Sequence, residues 1–255
     1  MSSVVRSVYS ACLAMIAGLA VSAGEAKPPI DTFSFIHMSD IHVDPWLVMP
    51  SMEETTSARS YRSLRTLVKR DNVFLEPYNI TAPKPSFIIA TGDICEFGAP
   101  GFTWDVVERY FEGLPKYYLA PGNHDNTWVF SSQYFKKKFG GFSYSFDHGG
   151  IHFICLNSAS LQDPNPSFSQ EVVEFVKRDL KKVDPQTPII PYCHHPWHGA
   201  EFASRYDADR LLDLFRPYNL VMILDGTWPC VRDTGNWRRG RGDGWFHIQQ
   251  TERVD

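Results

Sequence analysis

"SFIIATGDICE" (residues 86–96) decides the fold. From Phe87 to Ala90 the residues are apolar without alternation, the pattern of a strand covered on both faces. The chain then turns polar at Gly92-Asp93, with Glu96 three residues further on. Glycine permits a sharp turn there. A carboxylate just past a buried strand lies where the loops of an open α/β sheet converge and ligands bind. Three more strand-like runs end in polar residues in the same way: "TFSFIHMSDIH" (32–42), whose strand alternates, "KYYLAPGNHD" (116–125) and "TPIIPYCHHP" (187–196).

Helical patterns separate these strands. Residues 60–71 place Tyr61, Leu64, Leu67 and Val68 on one face, and residues 169–183 stack Val172, Phe175, Val176 and Leu180 at helical spacing. Residues 103–114 read as a helix, and 207–226 as a helix, a short turn and a strand. Residues 142–158 read as a β-hairpin turning at His148-Gly149-Gly150. Strands alternating with helices predict an α/β protein whose sheet is covered on both faces.

The ends of the chain differ from its middle. "MSSVVRSVYS" carries Arg6 and no acid, an apolar run follows, and small residues precede Ala23 and Ala26. This is the pattern of a secretory signal, too short to span a bilayer. The expected organisation is a signal over 1–26, a domain over 27–226 and an atypical tail over 227–255. The expected location is secreted or periplasmic, with no stable membrane span after cleavage. Cys95, Cys155, Cys193 and Cys230 form no disulfide framework, and those in apolar strands are expected to be buried free thiols. Asn79 opens a lone glycosylation sequon, of consequence only in a eukaryotic host. A net charge of −4 gives no general attraction to nucleic acid, so an anionic substrate must be drawn by a local positive centre. No H-E-x-x-H, G-x-S-x-G, Walker or Rossmann motif is present.

The polar residues after the four strands are Asp40 and His42, Asp93 and Glu96, Asn123, His124 and Asp125, and His194 and His195. Asp40 and His42, two apart, point the same way if the chain is extended there. Mixed oxygen and imidazole donors suit Mn, Fe or Zn.

In this order, "DIH", "GDICE", "GNHD" and "HHP" resemble the motifs of the calcineurin-like metallophosphoesterases, which include purple acid phosphatases, cyclic-nucleotide phosphodiesterases and sphingomyelinase-like enzymes. The resemblance runs from about Phe33 to Gly226. It implies a four-layer α/β/β/α sandwich and hydrolysis of phosphomonoesters or phosphodiesters by a metal-bound hydroxide at a binuclear centre. Asp40, His42 and Asp93 would hold the first ion; Asp93, Asn123 and His194 the second. His124 would contact the substrate and protonate the leaving oxygen, with Glu96 orienting its imidazole. Asn123 and His195 would also face the substrate, a small-molecule or lipid phosphoester. Two divalent ions bring +4 against about −3 from Asp40, Asp93 and a hydroxide, a surplus that attracts phosphate.

The resemblance weakens at "LDGTWP" (224–229). Where a Gly-His-x-His motif belongs, Thr227 and Pro229 replace both histidines. A divergent C-terminus and a shifted reading frame near Gly226 both account for this. The alternative function is therefore a catalytically impaired, phosphate- or metal-binding remnant on the same scaffold. The loops 43–56 and 196–207, with Trp46, Trp197 and His198, are where a substrate pocket would be shaped.

Overall fold

Odd and even positions of the central strands face different layers, and this parity builds the molecule. A computed structural model describes residues 12–13, 32–44, 56–75, 79–125, 128–159, 166–197, 205–226 and 249–250. The first sheet runs in the order β1 (Cys12–Leu13), β2 (Ser34–Met38), β5 (Pro85–Thr91), β6 (Lys116–Ala120). The second runs β10 (Asn219–Leu220), β9 (Pro188–Tyr192), β8 (Ile151–Cys155), β7 (Tyr144–His148). Strands β2, β5 and β6 are mutually parallel, as are β8, β9 and β10, while β7 joins β8 as the antiparallel hairpin read from the sequence.

Phe35, Phe87, Ile89 and Tyr118 of the first sheet meet Tyr144, Phe153, Ile190 and Tyr192 of the second in one buried cluster. The rings of Phe35 and Phe87 stand edge-on to Phe153 with centroids 5.7 and 5.4 Å apart. Burying each such ring is worth roughly 1.5–3 kcal/mol. Ile36, Met38, Ile88, Ala90 and Leu119 face the other way. They pack under α1 (Thr56–Leu67), α2 (Gly101–Phe111) and α3 (Val129–Phe139). Ile154, Leu156, Ile189 and Cys193 likewise meet α4 (Gln170–Leu180) and α5 (Arg205–Phe215). Helices, sheet, sheet, helices: the sandwich has the four layers expected.

The hairpin of β3 (Asn72–Leu75) and β4 (Ile80–Pro83) was not legible in the sequence, and neither was α3. Asn79 lies exposed in that hairpin's turn at φ 51°. Cys95, Cys155 and Cys193 are buried free thiols; Cys230 lies outside the described residues. After β10 the chain forms β11 (Met222–Ile223), paired with β12 (Gln249–Gln250), and Leu224 bridges to Tyr192. No helix among the described residues is long and apolar enough to cross a membrane.

A buried ionic tie holds α4 to the second sheet. His152 places Nδ1 2.6 Å from Asp147 Oδ1 and Nε2 2.9 Å from Asp179 Oδ2, and Ser145 Oγ donates to Asp179 Oδ1. Burial pushes the His152 pKa down, but its bonds to Asp179 and Asp147 outweigh this and raise it above 6.5. Burial pushes Asp179 up, but His152 and Ser145 hold it below 3.8. The Asp179 contribution is lost as pH falls through its depressed folded pKa. The His152 contribution is lost as pH rises through its raised one. The tie is therefore strongest between about pH 4 and 6.5. His152→Gln is expected to lower stability on the order of 1–3 kcal/mol at pH 5.5 and by clearly less at pH 8.5, read from thermal unfolding of both proteins. A gap that does not narrow at pH 8.5 contradicts the pairing.

Candidate metal centre

Parallel strands in register deliver their loops to one place. The last paired residues of β2, β5 and β9 are Met38, Thr91 and Tyr192, and Asp40, Asp93 and His194 each follow two residues later. The Thr91 carbonyl joins the two sheets: it accepts from Ser39 Oγ and from His194 Nδ1, both at 2.8 Å. That bond fixes the imidazole so that Nε2 faces Asp93.

The first two loops run on together past the sheet, with Asp40 N donating to Gly92 O, His42 N to Asp93 O and Val43 N to Ile94 O. Asp40, His42 and Asp93 take left-handed φ values of 54°, 49° and 46°. The extended geometry expected for Asp40-Ile41-His42 is thus replaced by a tight left-handed turn, which still brings both side chains to the site. Asp and His tolerate this region better than most residues, yet each such residue costs on the order of 1–3 kcal/mol. The inter-loop bonds offset that strain. Gly92 is also left-handed, at φ 82°, and a Cβ there would sit 2.4 Å from His194 Cγ. Gly122 serves closeness instead of turning: a Cβ would meet Asp93 Oδ1 at 2.2 Å.

Asp125, the last residue of "GNHD", ties the second and third loops together. Fully buried, its carboxylate accepts from the amides of Ile94, Cys95 and Gly122 at 2.9–3.0 Å. The sequence offered Asp125 only as a member of the run, without this role.

Asp93 is the hub. Its Oδ2 lies 3.3 Å from His194 Nε2, 3.8 Å from His42 Nε2 and 3.9 Å from His124 Nε2. Two donor groups share it: Asp40, Asp93 and His194, and His42, Asp93 and His124, each with its ligand atoms within 4.8 Å of one another. Asp40 gathers with His194 and His42 with His124, and His42 Nε2 also lies 4.0 Å from Asp40 Oδ1.

Burial pushes Asp93 up, but the charge and hydrogen bond of His194 override this and hold it well below the carboxylate range. Burial pushes His194 down, but Asp93 and then Asp40 lift it to about 10. Burial raises Asp40. Carboxylates enclosed this way require a positive charge, which a proton on His194 or a bound cation supplies. The donor set therefore fits divalent metal.

Glu96 departs from its expected partner. Its carboxylate meets His42 Nδ1 at 2.9 Å, and it is the Glu96 carbonyl that accepts from His124 Nδ1 at 2.8 Å. His124 is half-exposed. Burial lowers its pKa, but the Asp93 charge and the bond to Glu96 raise it overall.

Asn123 is exposed, and its Oδ1 lies 3.2 Å from His195 Nε2. Burial and the His194 charge push His195 down to about 3, so its ring is neutral. Ser158 Oγ accepts from His195 N at 3.1 Å and lies 2.9 Å from His195 Nδ1. A neutral ring then receives the Ser158 O–H at Nδ1 and donates Nε2–H to Asn123 Oδ1. Ser158 was not legible as part of this chain. Trp197, a possible pocket residue in the sequence, is buried against Phe168 and Phe215 and donates to Cys193 Sγ.

Residues 33–226 match the family model for calcineurin-like phosphoesterase. The chain belongs to this family. It is also similar to purple acid phosphatase 15 of Arabidopsis thaliana, 27% identical over 145 residues, which is 48% of this chain and 26% of that protein. The match thus spans about a quarter of that relative's length. As a calcineurin-like phosphoesterase the chain has a fold used for metal-dependent phosphoester hydrolysis, and its His and Asp groups are candidate ligands. Thr227 and Pro229 lie outside the described residues, as do Trp46 and His198. The chain leading to Thr227 reaches the site: Gly226 N donates to His194 O at 2.7 Å. Asp225 beside it is lifted to about 7 by burial.

Proposed function

We propose that this phosphoesterase hydrolyses phosphomonoesters or phosphodiesters at a binuclear centre, with Asp93 shared between two divalent ions of the Mn, Fe or Zn kind. The observation that carries the reading is Asp93 itself, one buried carboxylate within 3.3–3.9 Å of imidazoles from three separate loops. Asp40, His42 and His194 complete the donors, with Asn123 offering a neutral oxygen at the rim. Bound ions would polarise the phosphoryl oxygens and make water acidic enough to act as a nucleophile near neutral pH.

The remaining roles belong to the chain's own groups. His124 commits Nδ1–H to the Glu96 carbonyl, so Nε2 is the nitrogen that faces the centre. From there it would hand a proton to the departing ester oxygen. Glu96 fixes His42 through Nδ1, and His195 fixes Asn123, so both are positioning residues. Export through the N-terminal segment, and a small-molecule or lipid phosphoester as substrate, complete the reading.

A second reading is a phosphate- or metal-binding remnant, favoured by Thr227 and Pro229 in place of histidines. One experiment separates the two. The protein is stripped with chelator and reloaded with Mn²⁺, Fe²⁺ or Zn²⁺. Bound metal is then counted by mass spectrometry, and p-nitrophenyl phosphate and its bis ester are assayed. Two ions per chain, with turnover lost on chelation and restored on reloading, are expected. Bound ions without turnover select a metal-binding remnant; no bound ions reject the enzyme and leave phosphate binding as the remnant's only role.

A further inference from the structure

The two sheets end side by side on one flank of the sandwich. β6 is the last strand of the first sheet and β7 the last of the second. The Tyr118 and Phe146 rings join them, stacked at 3.4 Å and 1°. Between these strands and the last turn of α3 lies a cavity of about 400 Å³. Leu114 and Pro115 line it from the approach to β6, Phe139 from α3 and Tyr144 from β7. The rings of Phe139 and Tyr144 are themselves stacked, at 4.7 Å and 7°. Such a size and such an aromatic lining are those of small-molecule sites, and a helix about 10–12 Å across would not enter.

Two ammonium groups also line the cavity, and they differ. Lys138 Nζ donates to Glu108 Oε1 and Oε2 at 2.8 and 2.9 Å and to the Tyr117 hydroxyl at 2.6 Å, which uses all three protons. Glu108 accepts from the Tyr117 and Tyr134 hydroxyls as well, so this carboxylate is fully engaged and its charge is balanced. Lys116 is solvent-exposed, and its Nζ stands 5.0 Å from the centroid of the Tyr118 ring. Among the described residues no carboxylate lies within ion-pair distance of it. Lys116 thus gives the cavity a positive charge without a counter-ion.

Ring walls favour an apolar body, and the unpaired ammonium favours an anion. We infer that the cavity binds a small aromatic carboxylate, with its charged group on Lys116 and its ring against Phe139 and Phe146. The site stands apart from the metal centre. Lys116 opens β6, and the far end of that strand leads on to Asn123, so about 13 Å of strand lies between them. A ligand here needs no metal ion, and the inference does not depend on the phosphoesterase reading. By touching β6, β7 and α3 together it would also hold the two sheets to each other.

The probe is 2-naphthoate, titrated by calorimetry into the full chain, once stripped of metal and once loaded with Mn²⁺ under saturating inorganic phosphate. Saturable binding with a dissociation constant of about 1 mM or tighter is expected for a ligand of this size, alike in both forms. 2-Naphthylmethanol keeps the rings without the charge and is expected to bind at least about fivefold more weakly. Acetate, the charge without the rings, is expected to show no measurable binding. Lys116→Gln should lose at least about fivefold in naphthoate affinity, whereas Lys116→Arg and the change of another exposed lysine, Lys69→Gln, should keep it. Naphthoate should raise the unfolding midpoint of wild type but not of Lys116→Gln, and should give intermolecular nuclear Overhauser contacts to the Phe139 and Phe146 rings.

No saturable binding up to about 10 mM overturns the inference. Equal affinity for the alcohol, or a Lys116→Gln affinity within about twofold of wild type, does the same. Loss of naphthoate binding when phosphate fills the Mn²⁺-loaded centre would place the ligand there and reject the cavity. Because binding is read without turnover, an inactive metal centre beside Lys116-dependent naphthoate binding supports this inference while counting against the phosphoesterase reading alone.

Discussion

Asp93→Asn is expected to lower phosphoester turnover on the order of 10³-fold or more, and to reduce bound metal below one ion per chain at micromolar excess. The substitution keeps the size of the side chain and one oxygen but removes the charge. Changes to groups that merely orient a metal ligand cost 10–100-fold. A shared, buried carboxylate should cost more, because both donor groups lose it together. The metal-free protein should suffer less. Breaking a buried ion pair costs roughly 3–5 kcal/mol when the remaining partner stays charged. His194 owes its high pKa chiefly to Asp93, so without that carboxylate it sheds its proton. The expected pattern is thus a large loss of activity and metal with a smaller loss of thermal stability. Steady-state kinetics, metal counting and unfolding of the apo-protein read the three quantities. Turnover within tenfold of wild type would falsify the role given to Asp93.

Which parts of the architecture were readable follows from where the information lies. The strands β5, β6 and β9 are largely apolar runs and β2 alternates, and each is followed by a polar cluster contiguous in sequence, so fold and site were legible together. The left-handed turns at Asp40 and His42 were not, because Asp-x-His looks the same in extended and turned chain. Only the bonds to Gly92 and Asp93 on the neighbouring loop select the turn. Helix α3 escaped because it buries only Ser131 and Phe135, leaving no apolar stripe to detect. The exchange at Glu96 escaped for another reason. His42 and His124 both lie within its reach, with their ring centroids 4.9 Å apart, and sequence spacing does not say which imidazole meets the carboxylate and which the carbonyl. Ser158 lies on a segment with no motif, and only the folded chain brings it to His195.

Asp125→Ala is expected to destabilise the metal-free protein by at least about 3 kcal/mol, though the residue touches no candidate metal donor through its side chain. Its carboxylate is the acceptor for the buried amides of Ile94, Cys95 and Gly122. Each amide left without a partner costs roughly 1–3 kcal/mol, and alanine leaves three. The loops have little room to find substitutes. Ile94 and Cys95 are completely buried, and a side chain at Gly122 would already collide with Asp93. The same bonds set the distance between the loop carrying Asp93 and the loop carrying His124. Metal affinity should therefore fall together with stability, and a stabilising osmolyte should restore folding without fully restoring metal binding. Asp125→Asn keeps one acceptor oxygen but turns an N–H₂ group toward amides that also donate, so it should fall between alanine and wild type. Urea unfolding of the three proteins gives the order, and metal titration of the folded fraction gives the coupling. If Asp125→Ala unfolds within about 1 kcal/mol of wild type, the loops are held by something other than this carboxylate, and Asp125 is no keystone of the site.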